Sequence, residues 1–146
     1  MAFIFHYQEP PSEGLKAYAQ SLYQRRHEAA PVPRVEVAVG NWTPTANMCH
    51  ENAVQWCELN PDHQVVRGWL YFELPGLPYC RFTSHSVVRA PDGSLMDITP
   101  TAVVATYPFM IAGLDEDEYA EAAGALFQFL GTGDLDCWHR QGTPPL

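Results

Sequence analysis

The sequence predicts an α+β domain in which a cysteine-bearing helix packs on an antiparallel sheet. Three observations carry that reading. Helical periodicity is confined to three stretches, one early, one central and one late. Between the second and third, consecutive segments rich in β-branched and aromatic residues are separated only by short Pro/Gly turns, the pattern of an antiparallel meander. A cysteine, Cys49, stands in the first turn of the central helix, so that the helix N-terminus and the sheet meet at a reactive side chain.

Residues 2–7 alternate weakly and are read as a short strand. Ser12 caps a helix over about 13–28, whose apolar stripe is Leu15, Ala19, Leu22 and Tyr23. Ala30-Pro31-Val32-Pro33 ends it, and residues 35–39 alternate with period two as a strand or an extended approach to the cysteine. Asn47 is the expected N-cap of the central helix, because its side-chain oxygen can accept an orphan backbone N–H. That helix buries Cys49, Ala53, Trp56, Cys57 and Asn60 on one face, and Asn60-Pro61-Asp62 stops it near residue 59. Strands follow over 65–72, 79–89, 95–99 and 102–107, with turns at Pro75-Gly76-Leu77-Pro78 and Pro91-Asp92-Gly93. Asp115 with Glu118 three residues on forms a capping box for a last helix ending near residue 130, and its core face is Tyr119, Ala122, Ala123, Leu126, Phe127 and Leu130. The tail, 132–146, is expected to be irregular. No repeat or linker divides the chain, so residues 1–146 are read as one domain with its motifs within about 41–100.

Composition narrows the function. The chain has 146 residues, 47% hydrophobic and 17% charged, enough to bury a core without staples. A formal charge of −9 with only 8 Lys and Arg argues against nucleic acid or an anionic membrane as partner. The four cysteines form no C-x-x-C pair, the N-terminus lacks the basic leader and apolar run of a signal peptide, and no stretch approaches a membrane span. Those features favour a reducing cytoplasm and free thiols, while secretion by a signal-independent machine stays open. Cys49, His50, Cys80 and His85 have no metal-ligand spacing, so no metal and no cofactor is expected. The signatures of zinc deaminases and of serine hydrolases are absent as well.

The chemistry gathers around three residues. His85 lies mid-strand in Thr83-Ser84-His85-Ser86-Val87 and Asp97 in Leu95-Met96-Asp97-Ile98-Thr99, with the Pro91-Asp92-Gly93 turn almost midway between them. An even register through that turn places both side chains on one face, within cross-strand reach. A carboxylate fixes the imidazole tautomer and stabilises the imidazolium, and a helix-start thiol beside them completes nucleophile, base and orienter. The Cys49 backbone N–H can hold an oxyanion. Asn41 and Asn47 are candidate side-chain donors, each also readable as a turn or cap residue. Trp42 and Trp69 are candidate walls of the cleft.

Cys49-x-x-x-Ala53, Val66-Arg67-Gly68-Trp69-Leu70, His85-Ser86-Val87 and Asp97-Ile98-Thr99-Pro100 together resemble the transglutaminase-like branch of the papain-like cysteine enzymes. A looser likeness, on Cys49-His50-Glu51-Asn52, is to protein N-terminal glutamine amidohydrolases. The resemblance implies a Cys49–His85–Asp97 triad on a papain/transglutaminase-like fold, acting on a protein or peptide amide through a thioester. Val87 stands where the family often has an aromatic residue. Hydrolysis, as a peptidase or glutamine deamidase, is the expected outcome; transamidation, or a non-catalytic binding or immunity module on the same fold, are the alternatives.

Overall fold

The computed structural model describes residues 6–101 and 106–139. Helix α1 (Glu13–Gln24) begins where the Ser12 hydroxyl accepts from the Leu15 N–H at 3.1 Å. Its buried residues, Leu15, Ala19 and Leu22, recur at helical spacing on one face, and a 3₁₀ turn (Arg26–Glu28) extends it to the length read from the sequence. Helix α2 (Cys49–Leu59) starts at the cysteine itself. Its N-cap is Met48, which supplies no side-chain cap bond, so Asn47 is not the cap. Asn47 instead holds a left-handed backbone, φ 66°, a conformation asparagine tolerates better than most residues. It turns the chain into the helix.

Two long strands, β1 (Gln64–Phe72) and β2 (Tyr79–Arg89), pair antiparallel from Gln64 opposite Arg89 to Phe72 opposite Arg81. The two-residue β3 (Leu95–Met96) pairs with the end of β2, and β4 (Phe109–Ile111) pairs with the middle of β1. After helix α3 (Glu116–Leu130), strand β5 (Asp134–Trp138) joins the other end of β2's free edge, along Tyr79–Thr83. Among the described residues the sheet runs β3-β2-β1-β4, with β5 also on β2. The molecule is thus α+β, three α-helices on an antiparallel sheet.

Several expectations need correction. Residues 35–39 form no strand; Arg34 makes a single bridge to Asp97, and Val39 bridges Trp42 across a tight turn. The expected strand at 102–107 falls largely outside the described residues, Thr106 and Tyr107 lie in no strand, and the pairing is made by β4 after Pro108. The tail is not wholly irregular, since it supplies β5. The expected strand at 2–7 lies mostly outside the described residues. Phe127, assigned to the core face of α3, is 56% exposed.

The side chains alternate on β1 and β2. Trp69 and Phe82 face α1 and α3 in a core with Leu22, Met110, Leu126 and Leu135. Further along, Val65 and Val88 meet Ala53, Trp56 and Ile98 beneath α2. The alternating set, Val66 and Val87, packs with Val32 and Phe109. Gly68 makes this layer possible. A β-carbon there would run into the Met110 carbonyl and the Phe109 ring, so only glycine lets β4 close on β1 directly opposite His85.

Candidate active site

Cys49 is the first residue of α2 and is held there by the loop before it. Buried Asn52 accepts from the Thr45 N–H at 3.0 Å and donates to the Thr45 carbonyl at 2.8 Å and the Thr99 hydroxyl at 3.0 Å. One amide therefore ties the entry loop, the helix and the segment after β3 together. At the first position of a helix, Cys49 keeps a backbone N–H with no intrahelical partner and sits at the positive end of the helix dipole.

His85 lies on β2 between the stretches paired with β5 and β3. Its Nε2 is 2.7 Å from Asp97 Oδ2, and the ring packs edge-on near Phe109 at 6.2 Å between centroids. Continuing the β2–β3 register one step sets Asp97 opposite Val87, two positions from His85 on the same face. The even register expected from the turn is the one observed. Asp97 is itself pinned: its backbone N–H donates to the Pro33 carbonyl at 2.8 Å, and its carbonyl accepts from Val35 at 2.9 Å. Its Oδ1 accepts from the Thr99 N–H at 3.1 Å, and Arg34 approaches Oδ2 at 3.7 Å. With Nε2 committed to Asp97, Nδ1 is the nitrogen of His85 available to the thiol.

The thiol interacts with two imidazoles. Burial pushes Cys49 up, but hydrogen bonds to His50 and then His85 outweigh it and bring the thiol down to about 6. Burial alone would lower His85, yet the Asp97 carboxylate and then Cys49 raise it to about 9. The pair is therefore held as thiolate and imidazolium across neutral pH. None of the other thiols is set beside an imidazole in this way. Burial raises Cys57; the hydrogen bond between Cys80 and Cys137, opposite each other across β2 and β5, raises Cys80 and lowers Cys137.

Cys49 and His85 line one cavity of about 350 Å³, with Arg34, Asn47, Leu70 and Tyr107 among its walls. Of the other residues singled out from the sequence, only Asn47 reaches it. Asn41 is exposed in the turn between Val39 and Trp42, outside the cavity lining. Trp42 packs on Trp56 at 6.4 Å, under α2, and does not wall this cavity. Trp69 is fully buried, its indole N–H donating to the Tyr18 hydroxyl at 2.8 Å, and belongs to the main core. Both tryptophans are packing residues.

Sequence reasoning weighed His50 only as a metal ligand and gave Ser86 and Asn52 no role beyond the motifs that contain them. The available signal was the polar run Thr83-Ser84-His85-Ser86 inside a strand, with Ser86 directly opposite Arg67. Among the described residues no group of three or more His, Cys, Asp and Glu side chains is arranged to hold a metal ion. Nor is any described helix long and apolar enough to cross a membrane. Comparison with protein-family models, curated proteins and solved structures returns no match to this chain.

Proposed function

We propose that this chain is a cysteine-dependent amide hydrolase, a compact transglutaminase-like member of the papain-like enzymes, acting on a protein or peptide amide. One observation carries the reading. Cys49 and His85 line the same cavity, with Asp97 at 2.7 Å from His85 Nε2, which leaves Nδ1 for the thiol. The motif order Cys49, His85, Asp97 is the one the family resemblance implies, and the α+β arrangement is compatible with a papain-like fold.

In the acylation step the Cys49 thiolate attacks the amide carbonyl carbon, and the C=O π pair moves onto oxygen. The Cys49 backbone N–H stabilises that oxyanion. The His85 imidazolium then gives its proton to the amide nitrogen as the C–N bond breaks, releasing the amine and leaving a thioester on Cys49. In deacylation, His85 takes a proton from water as the water oxygen attacks the thioester. Collapse of that intermediate breaks the C–S bond, frees a carboxylic acid and restores thiolate and imidazolium. Asp97 orients the ring throughout and stabilises its charged form.

A cavity of about 560 Å³ adjoins the first and shares Arg34, Pro100 and Thr101 with it, which gives room for a chain extending beyond the scissile amide. The test is product mass from a panel of peptide and glutamine amides, with and without an added amine. Wild type is expected to release amine and acid, and Cys49→Ala to release neither. Amine incorporation would move the reading to transamidation, and identical traces from both proteins would remove the enzyme altogether.

A further inference from the structure

The proposed hydrolase gives the thiol one histidine, His85, yet a second one stands next to it in the chain and also lowers it. His50 follows Cys49 in the first turn of α2, and its ring is held at Nδ1 and packed against Tyr119. Its Nδ1 lies 2.5 Å from the Ser86 hydroxyl. The Arg67 guanidinium, which can only donate, reaches that hydroxyl oxygen at 2.8 Å and His50 Nδ1 at 3.5 Å. With the Arg67 N–H facing both Ser86 Oγ and Nδ1, the arrangement is satisfied when Nδ1 accepts and the Ser86 hydrogen points to His50. Two donors thus converge on Nδ1, which makes it an acceptor and puts the ring proton on Nε2.

The supports are themselves anchored. Arg67 is tied to Glu116 at the start of α3 through bonds of 2.8 and 3.3 Å. Ser86 is 2% exposed, so its hydroxyl has little access to water as a substitute partner. The Tyr119 ring packs edge-on against His50 at 6.0 Å, and its hydroxyl is bound to the Gly68 carbonyl at 2.8 Å. Charged and titratable groups around the thiol and His50 are therefore His85 with Asp97 from β2 and beyond β3, Tyr119 from α3, and, on the His50 side, Arg67 from β1 with Glu116 behind it. Arg34 lies across the cavity.

Resting on the hydrolase reading above, we propose that His50 is a second catalytic residue, an Nε2–H donor that holds the Cys49 thiolate, positioned by the Ser86–Arg67–Glu116 relay. The two histidines divide the work. His85, with a carboxylate behind it, carries the proton to the leaving amine and back. His50, with donors behind it, keeps its Nε2 proton and stabilises the sulfur anion before attack. Ser86, Arg67 and Glu116 are positioning residues, acting only through His50. The hydrogen bond from His50 is also the largest influence lowering the thiol, ahead of those from His85.

The experiment is the pH dependence of Cys49 alkylation by iodoacetamide, read by peptide mass, in wild type, His50→Ala, His50→Gln, Ser86→Ala and His85→Ala. His50→Ala is expected to move the curve up by about one pH unit, slowing labelling near pH 6 about fivefold while leaving the alkaline plateau unchanged. His50→Gln, which keeps an N–H donor, should recover part of the shift, and Ser86→Ala should show a smaller shift than His50→Ala. A His50→Ala curve that superimposes on wild type overturns the proposal and reduces His50 to packing. If His50→Ala fails to fold, Ser86→Ala decides by the same criterion. A shift in the His50 variants with none in His85→Ala would sustain this inference while removing the Cys49–His85 pair on which the hydrolase reading stands.

Discussion

At the scale of single residues, the site is defined by what each titrating group has behind it. Cys49 is exposed enough to line a cavity yet buried enough that, without partners, its thiol would rise. The partners reverse the sign. His85 is raised to about 9 in spite of burial, because Asp97 favours the charged ring. The expected pH profile for acylation follows: activity climbs as Cys49 ionises through about 6 and falls as His85 loses its proton through about 9. Asp97→Asn removes the leading influence that raises His85 and leaves the burial that lowers it. The alkaline limb should therefore move to lower pH, which single-turnover rates between pH 5 and 10 would reveal. An unmoved limb would mean that Asp97 serves structure and not the imidazolium.

At the scale of elements, the site depends on how closely three strands approach. Gly68 on β1 is opposite His85 on β2 and opposite Ile111 on β4, with no room for a side chain on the face toward Met110 and Phe109. Gly68→Ala should cost about 1–3 kcal/mol, because the obstacle includes a backbone carbonyl that cannot swing aside. Denaturant midpoints measure that loss directly. A variant as stable as wild type would show that β4 can lift from β1 without strain. Helix α3 contributes differently: its capping box, Asp115 with Glu118, and the left-handed Gly131 at φ 74° fix its two ends. Between them it delivers Glu116 to Arg67 and Tyr119 to Gly68, so a helix remote in sequence from Cys49 braces the wall behind it.

At the scale of the whole molecule, β2 is the axis. One edge pairs with β1, the other is shared by β5 and β3, and His85 lies in the stretch between those two partners. The four thiols sample this architecture unequally. Cys80 and Cys137 are each 1% exposed across the β2–β5 pair, whereas Cys49 and Cys57 are half-buried. Alkylation at neutral pH should label Cys49 first and Cys57 slowly, with Cys80 and Cys137 protected until β5 leaves β2. Peptide mapping over time gives the order, and equal labelling of Cys49 and Cys57 would remove the activated thiol.

The sequence by itself determined the local pieces: the Ser12 cap and its stripe on α1, the capping box of α3, the two long strands, and a turn whose even register brings Asp97 to the face of His85. Each is written in neighbouring residues, through period, cap chemistry or turn position. Strand β5 was not legible, because its two aspartates have low strand propensity and it follows directly on Gly131 and Gly133. Asp136 is nonetheless wholly buried, paired with Arg81 on β2 at 2.7 and 3.0 Å, a partner 55 positions away. The side of the sheet on which Trp69 falls was equally out of reach, since alternation says that it points away from its neighbours and not toward which layer. The relay behind His50 is the clearest case. His50, Arg67, Ser86 and Glu116 come from α2, β1, β2 and α3, and their hydrogen bonds exist only once those four elements have packed. Only the tertiary structure could decide that the residue next to the cysteine turns inward to Ser86 and Arg67.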